Sequence, residues 1–307
     1  MMNQMGSILE LSQVNYDMNA QWLLSAVLAS MVLGVALNIK IDDFKQILAA
    51  PKAVFAGLST QFLILPAATF GLTLAVDFHP GIELGMLLVA ACPGGAVSNF
   101  VTQLGRGNVA LSISLTACAS LLAIIMLPLN FLFWAQQNPD TAKLMTAVDV
   151  DEYKLMLNLI LVLAVPLFTG LVLRHHFANF ASQLHKILNT TSSMALAIFI
   201  LVAVSQNFEA FIHSFATIFW IVLVHNALAY GLGYGAAKLS RLNRKDTIAT
   251  VIEVGMQNSS LAIAIVFTQF SGQPEMALIC AFWGTWHLLS GVIVAFVSRS
   301  RWSEAKL

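Results

Sequence analysis

The sequence predicts an all-α polytopic membrane protein with about nine transmembrane helices. Three observations carry that expectation. Hydrophobic residues make up 58% of the 307 residues and charged ones 10%, with a mean hydropathy of +0.81. That is more apolar surface than a soluble core of this length can hide. The apolar residues fall in runs of about 17 to 27, the length needed to cross a hydrocarbon core. The basic residues gather in alternate connections between those runs, the pattern that sets membrane orientation.

The spans are placed near 20–38, 52–76, 82–104, 108–134, 155–174, 189–206, 213–237, 247–269 and 275–297. Ahead of the first, a short polar tail carries Glu10 and Asp17 but no lysine or arginine within twenty residues. It fits neither a signal peptide nor an arginine-rich transit peptide. With the N-terminus outside, the inner connections hold Lys40, Lys45 and Lys52, then Arg106, then Arg174 and Lys186, then Lys238, Arg241, Arg244 and Lys245. Arg299, Arg301 and Lys306 follow the last span, which places 13 of the 15 basic residues inside. The outer side keeps Lys143 and Lys154, in a short acidic loop of about 135–154 that also carries Asp140, Asp149, Asp151 and Glu152. This asymmetry predicts N-out and C-in, and an even number of spans would break it. No stretch reads as a soluble domain or flexible linker, so one membrane domain is expected over 1–307.

Two spans are interrupted. In the third, Ala91-Cys-Pro-Gly-Gly-Ala-Val-Ser-Asn99 breaks an apolar run. Pro93 removes a backbone donor, and Gly94 and Gly95 permit an unwound segment. In the eighth, the polar run Glu253-Val-Gly-Met-Gln-Asn-Ser-Ser260 sits at comparable depth. Lying five spans apart, the two cross in opposite directions, the outline of an inverted repeat. Paired interruptions of this kind point to a binding site near the midplane of a transporter, where freed carbonyls and half-helix ends face ions and substrate. The bland reading makes Pro93 a kink and the polar residues glue between helices. Glu253 weighs against it. A carboxylate buried in hydrocarbon must be protonated, paired or bound to a cation, and neutral oxygens around it suit a hard cation such as sodium.

Cys92-Pro-Gly-Gly95 with Ser98-Asn99, Arg106-Gly-Asn-Val-Ala-Leu-Ser112 and Glu253-Val-Gly-Met-Gln-Asn-Ser259 closely resemble the bile acid:sodium symporter family. The resemblance extends through Gln61-Phe-Leu-Ile-Leu-Pro66, His225-Asn226 and Trp286-His287. It implies a core of about 52–134 and 213–297 that contains two crossing discontinuous helices, and a smaller panel of about 20–38 and 155–206. It also implies two sodium ions as coupling ions and no other cofactor. One ion would be held by Ser98, Asn99, Ser112, Thr116 and Glu253. The other would be held by Gln61, Glu253, Gln257 and the carbonyls of Val254 and Met256. Ser112 and Thr116 share one helix face, which agrees with that assignment, although taken alone their hydroxyls would be read as bonding back to their own helix.

The family's substrates are mostly organic anions, from bile acids and sulfated steroids to small carboxylates. Two sodium ions against one glutamate leave net positive charge, and helix N-termini after Gly95 and near Asn258 favour an anion. Gly95, Ala96, Val97, Asn258, His287 and Leu288 are the expected substrate contacts. Ala96 stands where some members that take small acids have a threonine, and Leu288 stands where they have an asparagine. The loss of those two polar groups points to a more apolar ligand or a different pose.

Other readings are weaker. A proton-coupled or ion-independent carrier of the same architecture, such as an efflux transporter, is the alternative; an arsenite carrier would need an exposed thiolate, and Cys92 is the cysteine near a break. Cys92, Cys118 and Cys280 have no metal or redox spacing and read as packing residues. An enzyme would need a catalytic constellation, and none is visible. No basic tract suggests nucleic acid. The partners expected are the organic anion, sodium and the lipid bilayer, with no obligate protein partner. His225 and His287 within spans read as helix-to-helix hydrogen bonds before proton relays, and Trp283 and Trp286 read as packing aromatics before a ligand platform. The sequons at Asn189 and Asn258 fall on the inner side or within the membrane, and a bacterial inner membrane is the expected location.

Overall fold

In hydrocarbon a helix satisfies its own backbone, so a chain of apolar runs must fold helically. The structure, a computed structural model, describes residues 18–147, 151–206 and 208–304. Among these every regular element is helical. The expected N-terminal tail lies outside them.

Helix α1 (Met18–Ala36) leads through a short turn (Ile41–Phe44) and a short helix (Lys45–Ala49) to α2, Pro51–Ala75. The third expected span is two helices, α3 (Pro80–Ala91) and α4 (Val97–Leu104). Helix α5 (Val109–Gln137) is followed by α6 (Pro139–Ala147), α7 (Glu152–His176), α8 (Ala178–Gln206) and α9 (Phe208–Leu239). The eighth expected span is again two helices, α10 (Arg244–Gly255) and α11 (Ser259–Gln269), before α12 (Pro274–Glu304). Five stretches among the described residues are long and apolar enough to cross a membrane: α2, α5, α7, Ala216–Leu239 of α9 and Pro274–Arg299 of α12. Each half of a broken span is too short alone. Pro93 and the glycines stop α3, while Gly255 ends α10.

Side-chain exposure in α7 shows what the apolar runs face. Leu157, Leu161, Val165, Phe168 and Val172 form an exposed stripe at helical spacing, whereas Leu155, Leu159, Leu163 and Leu167 are buried. A helix apolar on both faces belongs in lipid. Its buried face packs on α1, and α1 in turn packs on α8 and α11. At the α1–α7 crossing a Cβ on Gly170 would overlap the Cβ of Ala36, so the small residue sets the close approach. Elsewhere α3 lies between α12 and α5, and α10 contacts α9, α5 and α4.

Two stretches differ from the expectation. The loop of about 135–154 contains α6, because Asn138 caps the turn by accepting the Asp140 N–H at 3.0 Å and Pro139 occupies the first helical position, where its missing donor costs nothing. Helix α8 begins at residue 178 rather than 189. The Arg174 guanidinium donates to the Ala178 carbonyl at 3.3 Å and to Ser182 at 2.7 Å, stapling the end of α7 to the start of α8.

Candidate functional site

The two breaks meet. The Gly95 amide donates to the Met256 carbonyl at 2.9 Å, and the Asn258 amide donates to the Pro93 carbonyl at 2.8 Å. Unwinding each helix leaves backbone groups without intrahelical partners, and here each break supplies what the other lacks. Gly94 also faces Gln257 across this short bridge.

Glu253, near the end of α10, projects into the junction and is 3% exposed. One carboxylate oxygen accepts from Ser98 of α4 at 2.7 Å and from Ser112 of α5 at 3.5 Å. The other accepts from Thr116 of α5 at 2.8 Å. Thr116 also approaches the Asn99 side-chain oxygen at 3.4 Å. Ser98, Asn99, Ser112, Thr116 and Glu253 are therefore one cluster of oxygens drawn from three helices. Among the described residues, no lysine, arginine or histidine lies within ion-pair distance of the carboxylate. Gly94 is required at this point, since a Cβ there would overlap the Glu253 carboxylate.

A second cluster adjoins the first. Gln61 sits in a widened, π-type turn of α2, Thr60–Ile64, in which the Leu65 amide reaches back to the Thr60 carbonyl. Pro66 follows directly and has no amide to continue the normal ladder, and turns of this type re-aim side chains into sites. The Gln61 amide donates to the Cys92 carbonyl at 2.7 Å and pairs with the side chain of Gln257. Gln257 donates to the Val254 carbonyl at 2.6 Å. Gln61, Gln257 and Val254 are thus in direct contact, whereas the Met256 carbonyl takes part through Gly95, and the carboxylate of Glu253 makes its bonds in the first cluster.

A cavity of about 430 Å³ opens beside the junction. Gly95, Ala96, Val97, Asn258, His287 and Leu288 all line it. Ala96 leaves the N-terminus of α4 without a side-chain cap, while Asn258 caps α11 by accepting from the Leu261 amide at 3.0 Å. The opposite wall comes from α1, α7 and α8 and is mainly apolar, with Val32, Leu163, Leu167 and Leu196.

Sequence reasoning missed several residues here. Thr102, one turn beyond Ser98, donates to Ser112 at 3.2 Å and holds that ligand in place; the four-residue spacing from Ser98 was its available signal. Asn189, Ser192 and Ser193 of α8 add polar groups to the cavity wall, and the run Asn189-Thr-Thr-Ser-Ser193 is visible in the sequence. Glu253 is also not the sole buried carboxylate. Glu83 in the first turn of α3 is 2% exposed, accepting from the Phe78 amide at 3.3 Å and the Asn138 side chain at 2.7 Å. It stands at the very start of its apolar run, which hid it.

His225 joins Thr69 of α2 at 2.7 Å, a helix-to-helix bond. His287 instead bonds the Trp283 carbonyl of its own helix at 2.7 Å. Trp283 is fully buried against His225 and does not line the cavity. Cys92 is fully buried as well, so it offers no exposed thiolate.

Comparison with known proteins shows the family. Residues 25–214 match the model of the sodium bile acid symporter family. The chain is 32% identical over 268 residues to an uncharacterized sodium-dependent transporter, YocS, of Bacillus subtilis, covering 87% of this chain and 80% of the relative. It is 30% identical to the probable chloroplastic sodium/metabolite cotransporter BASS1 of Arabidopsis thaliana, over 87% of this chain but 64% of that longer protein. It is 28% identical to the human ileal sodium/bile acid cotransporter, over 82% of this chain and 70% of the relative. These relatives are transporters, not enzymes.

Proposed function

This chain belongs to the sodium bile acid symporter family, and from that premise we propose that it is a secondary active symporter importing an organic anion with sodium by alternating access. The single observation that carries the proposal is the setting of Glu253: a buried carboxylate at a helix break, ringed by hydroxyl and amide oxygens, with no basic residue within ion-pair distance among the described residues. Neutral oxygens around one carboxylate are the donor set of a hard monovalent cation. Two sodium ions are assigned, one to Ser98, Asn99, Ser112, Thr116 and Glu253, the other to Gln61, Gln257, Glu253 and the carbonyls of Val254 and Met256.

The anion is assigned to the cavity beside the junction, with its charged group toward the N-termini of α4 and α11 and its body along the apolar wall. Ala96 and Leu288 add no hydrogen bond to a small polar acid. That supports an amphipathic ligand, such as a bile-acid-like molecule or steroid conjugate, ahead of a small carboxylate or sulfonate. The proposed transmembrane arrangement is nine spans with an inverted repeat, N-out and C-in, in a bacterial inner membrane. In it α1, α7 and α8 form the panel against which the core moves. External sodium orders the junction, the anion binds beside it, and both leave on the inner side.

The test is uptake of a radiolabelled bile-acid conjugate and of a small carboxylate into proteoliposomes under an inward sodium gradient, with potassium as the control. Sodium-dependent accumulation that is lost in Glu253→Ala supports the proposal. Accumulation driven equally by a proton gradient, or undiminished in the variant, assigns the chain to a proton-coupled or ion-independent carrier.

A further inference from the structure

A second cavity, of about 620 Å³, lies away from the junction, where the turn after α1 and the end of α7 meet α5. Its floor is apolar, formed by Ile39, Phe44, Leu121 and Leu171, and it continues into Val172, the last member of the exposed stripe on α7. Its rim is basic. Lys40, Arg174, His175 and His176 all line it. The carboxylate on the wall, Asp42, is paired with Lys45 at 2.7 Å, and Asp43 takes the Lys40 backbone amide at 2.7 Å. Both acids have local partners, and the rim keeps a positive balance.

The position fixes what such a groove meets. The stretch of α7 long and apolar enough to cross a membrane ends at His176, which in the proposed arrangement puts Leu171 and Val172 at acyl-chain depth and the rim at headgroup depth. An apolar groove open to hydrocarbon and rimmed by Lys40, Arg174 and two imidazoles matches one ligand chemistry, a net-anionic phosphodiester with a lipid tail. We propose that this groove is a binding site for one anionic phospholipid, with the phosphate held by Lys40, His175 and His176 beside Arg174 and one acyl chain lying along Leu121, Leu171 and Val172. Arg174 is partly committed to joining α7 and α8, so Lys40 and His175, both exposed, are the groups to vary. Because the lipid would touch α5 and α7 at once, it would bridge two helices that the proposed transport cycle moves apart.

The experiment is native mass spectrometry of the full chain in neutral detergent, titrated with phosphatidylglycerol, phosphatidylcholine or glycerol 3-phosphate. Wild type should retain one phosphatidylglycerol at concentrations where phosphatidylcholine is lost. Lys40→Ala should weaken that adduct about fivefold, the effect of one basic residue at a membrane surface. Lys40→Arg should restore it, and Lys40→Ala/His175→Ala should weaken it further. Thermal unfolding in phosphatidylcholine checks that the variants are folded, and equal midpoints are expected. Equal retention of both lipids, retention unchanged in the double variant, or an equally firm glycerol 3-phosphate adduct would overturn the assignment, the last result leaving a free-phosphate site in its place.

Discussion

Substituting Gly94 with alanine tests the junction at its tightest point. An added Cβ would lie 2.7 Å from Cδ and 3.3 Å from Cγ of Glu253, overlapping the nearer carboxylate oxygen. The backbone cannot easily yield, because Pro93 and Gly95 on either side are bonded to Asn258 and Met256 at 2.8 and 2.9 Å. Glu253 must therefore swing away from Ser98 and Thr116, giving up hydrogen bonds of 2.7 and 2.8 Å. Bonds to a charged group are worth about 1.5–3 kcal/mol each, so displacement costs at least about 3 kcal/mol. At 1.4 kcal/mol per decade that is roughly a hundredfold loss of sodium affinity. Gly95 is the internal control: a Cβ there meets nothing closer than 3.7 Å, and neither glycine has a positive φ that alanine would resist. The assay is thermal unfolding titrated with sodium chloride against potassium chloride, from which ligand linkage gives an apparent affinity. A wild-type sodium midpoint in Gly94→Ala, or equal damage from Gly95→Ala, would refute the reasoning.

Three further outcomes follow from the same geometry. Asn258→Ala removes the cap from α11 and should lower stability by about 1 kcal/mol, read as a lower unfolding midpoint in both salts; an unchanged midpoint would contradict the capping role. Glu83→Gln leaves the Glu253 cluster untouched, so its sodium-dependent stabilisation should match wild type, and loss of the sodium effect would mean that Glu83 belongs to the ion path. Asp151 caps α7, and the Lys154 amide followed by the Lys154 side chain holds its carboxyl below the ordinary 3.8. A lowered value contributes stability that is present above 3.8 and lost as pH falls through the folded value. Protection of the amides in the first turn of α7, taken as hydrogen exchange relative to the intrinsic rate at each pH, should therefore fall below about pH 4, whereas protection unchanged between pH 5 and 3 would contradict that sign.

Much of the site could be read in the sequence because its chemistry is local. Pro93, Gly94 and Gly95 interrupt one apolar run, and Glu253 with the amides and hydroxyls after it interrupts another, so both breaks stand out against hydrocarbon. What the sequence withholds is partnership. That Gly95 bonds Met256 and Asn258 bonds Pro93 depends on the meeting of segments more than 150 residues apart, and no local pattern encodes it. Gln61 was reached through family likeness; the widened turn that aims it rests on Pro66, and a proline in a span ordinarily suggests a kink. Glu83 was missed because a carboxylate in the first turn of a helix normally reads as a dipole-complementing residue in water, and burial by Asn138 is a tertiary event. The acidic loop concealed α6 for a related reason, since polar residues with a cap and a proline at the first position can form a surface helix without an apolar run.

The central claim is that Glu253 is the charged ligand of a sodium site, and direct binding of radioactive sodium to purified protein tests it most closely. Wild type should bind sodium saturably, displaced by unlabelled sodium but not by potassium, and Glu253→Gln, which keeps size and hydrogen-bonding oxygen while removing the charge, should lose that binding. Sodium binding retained at wild-type affinity in Glu253→Gln would contradict the account.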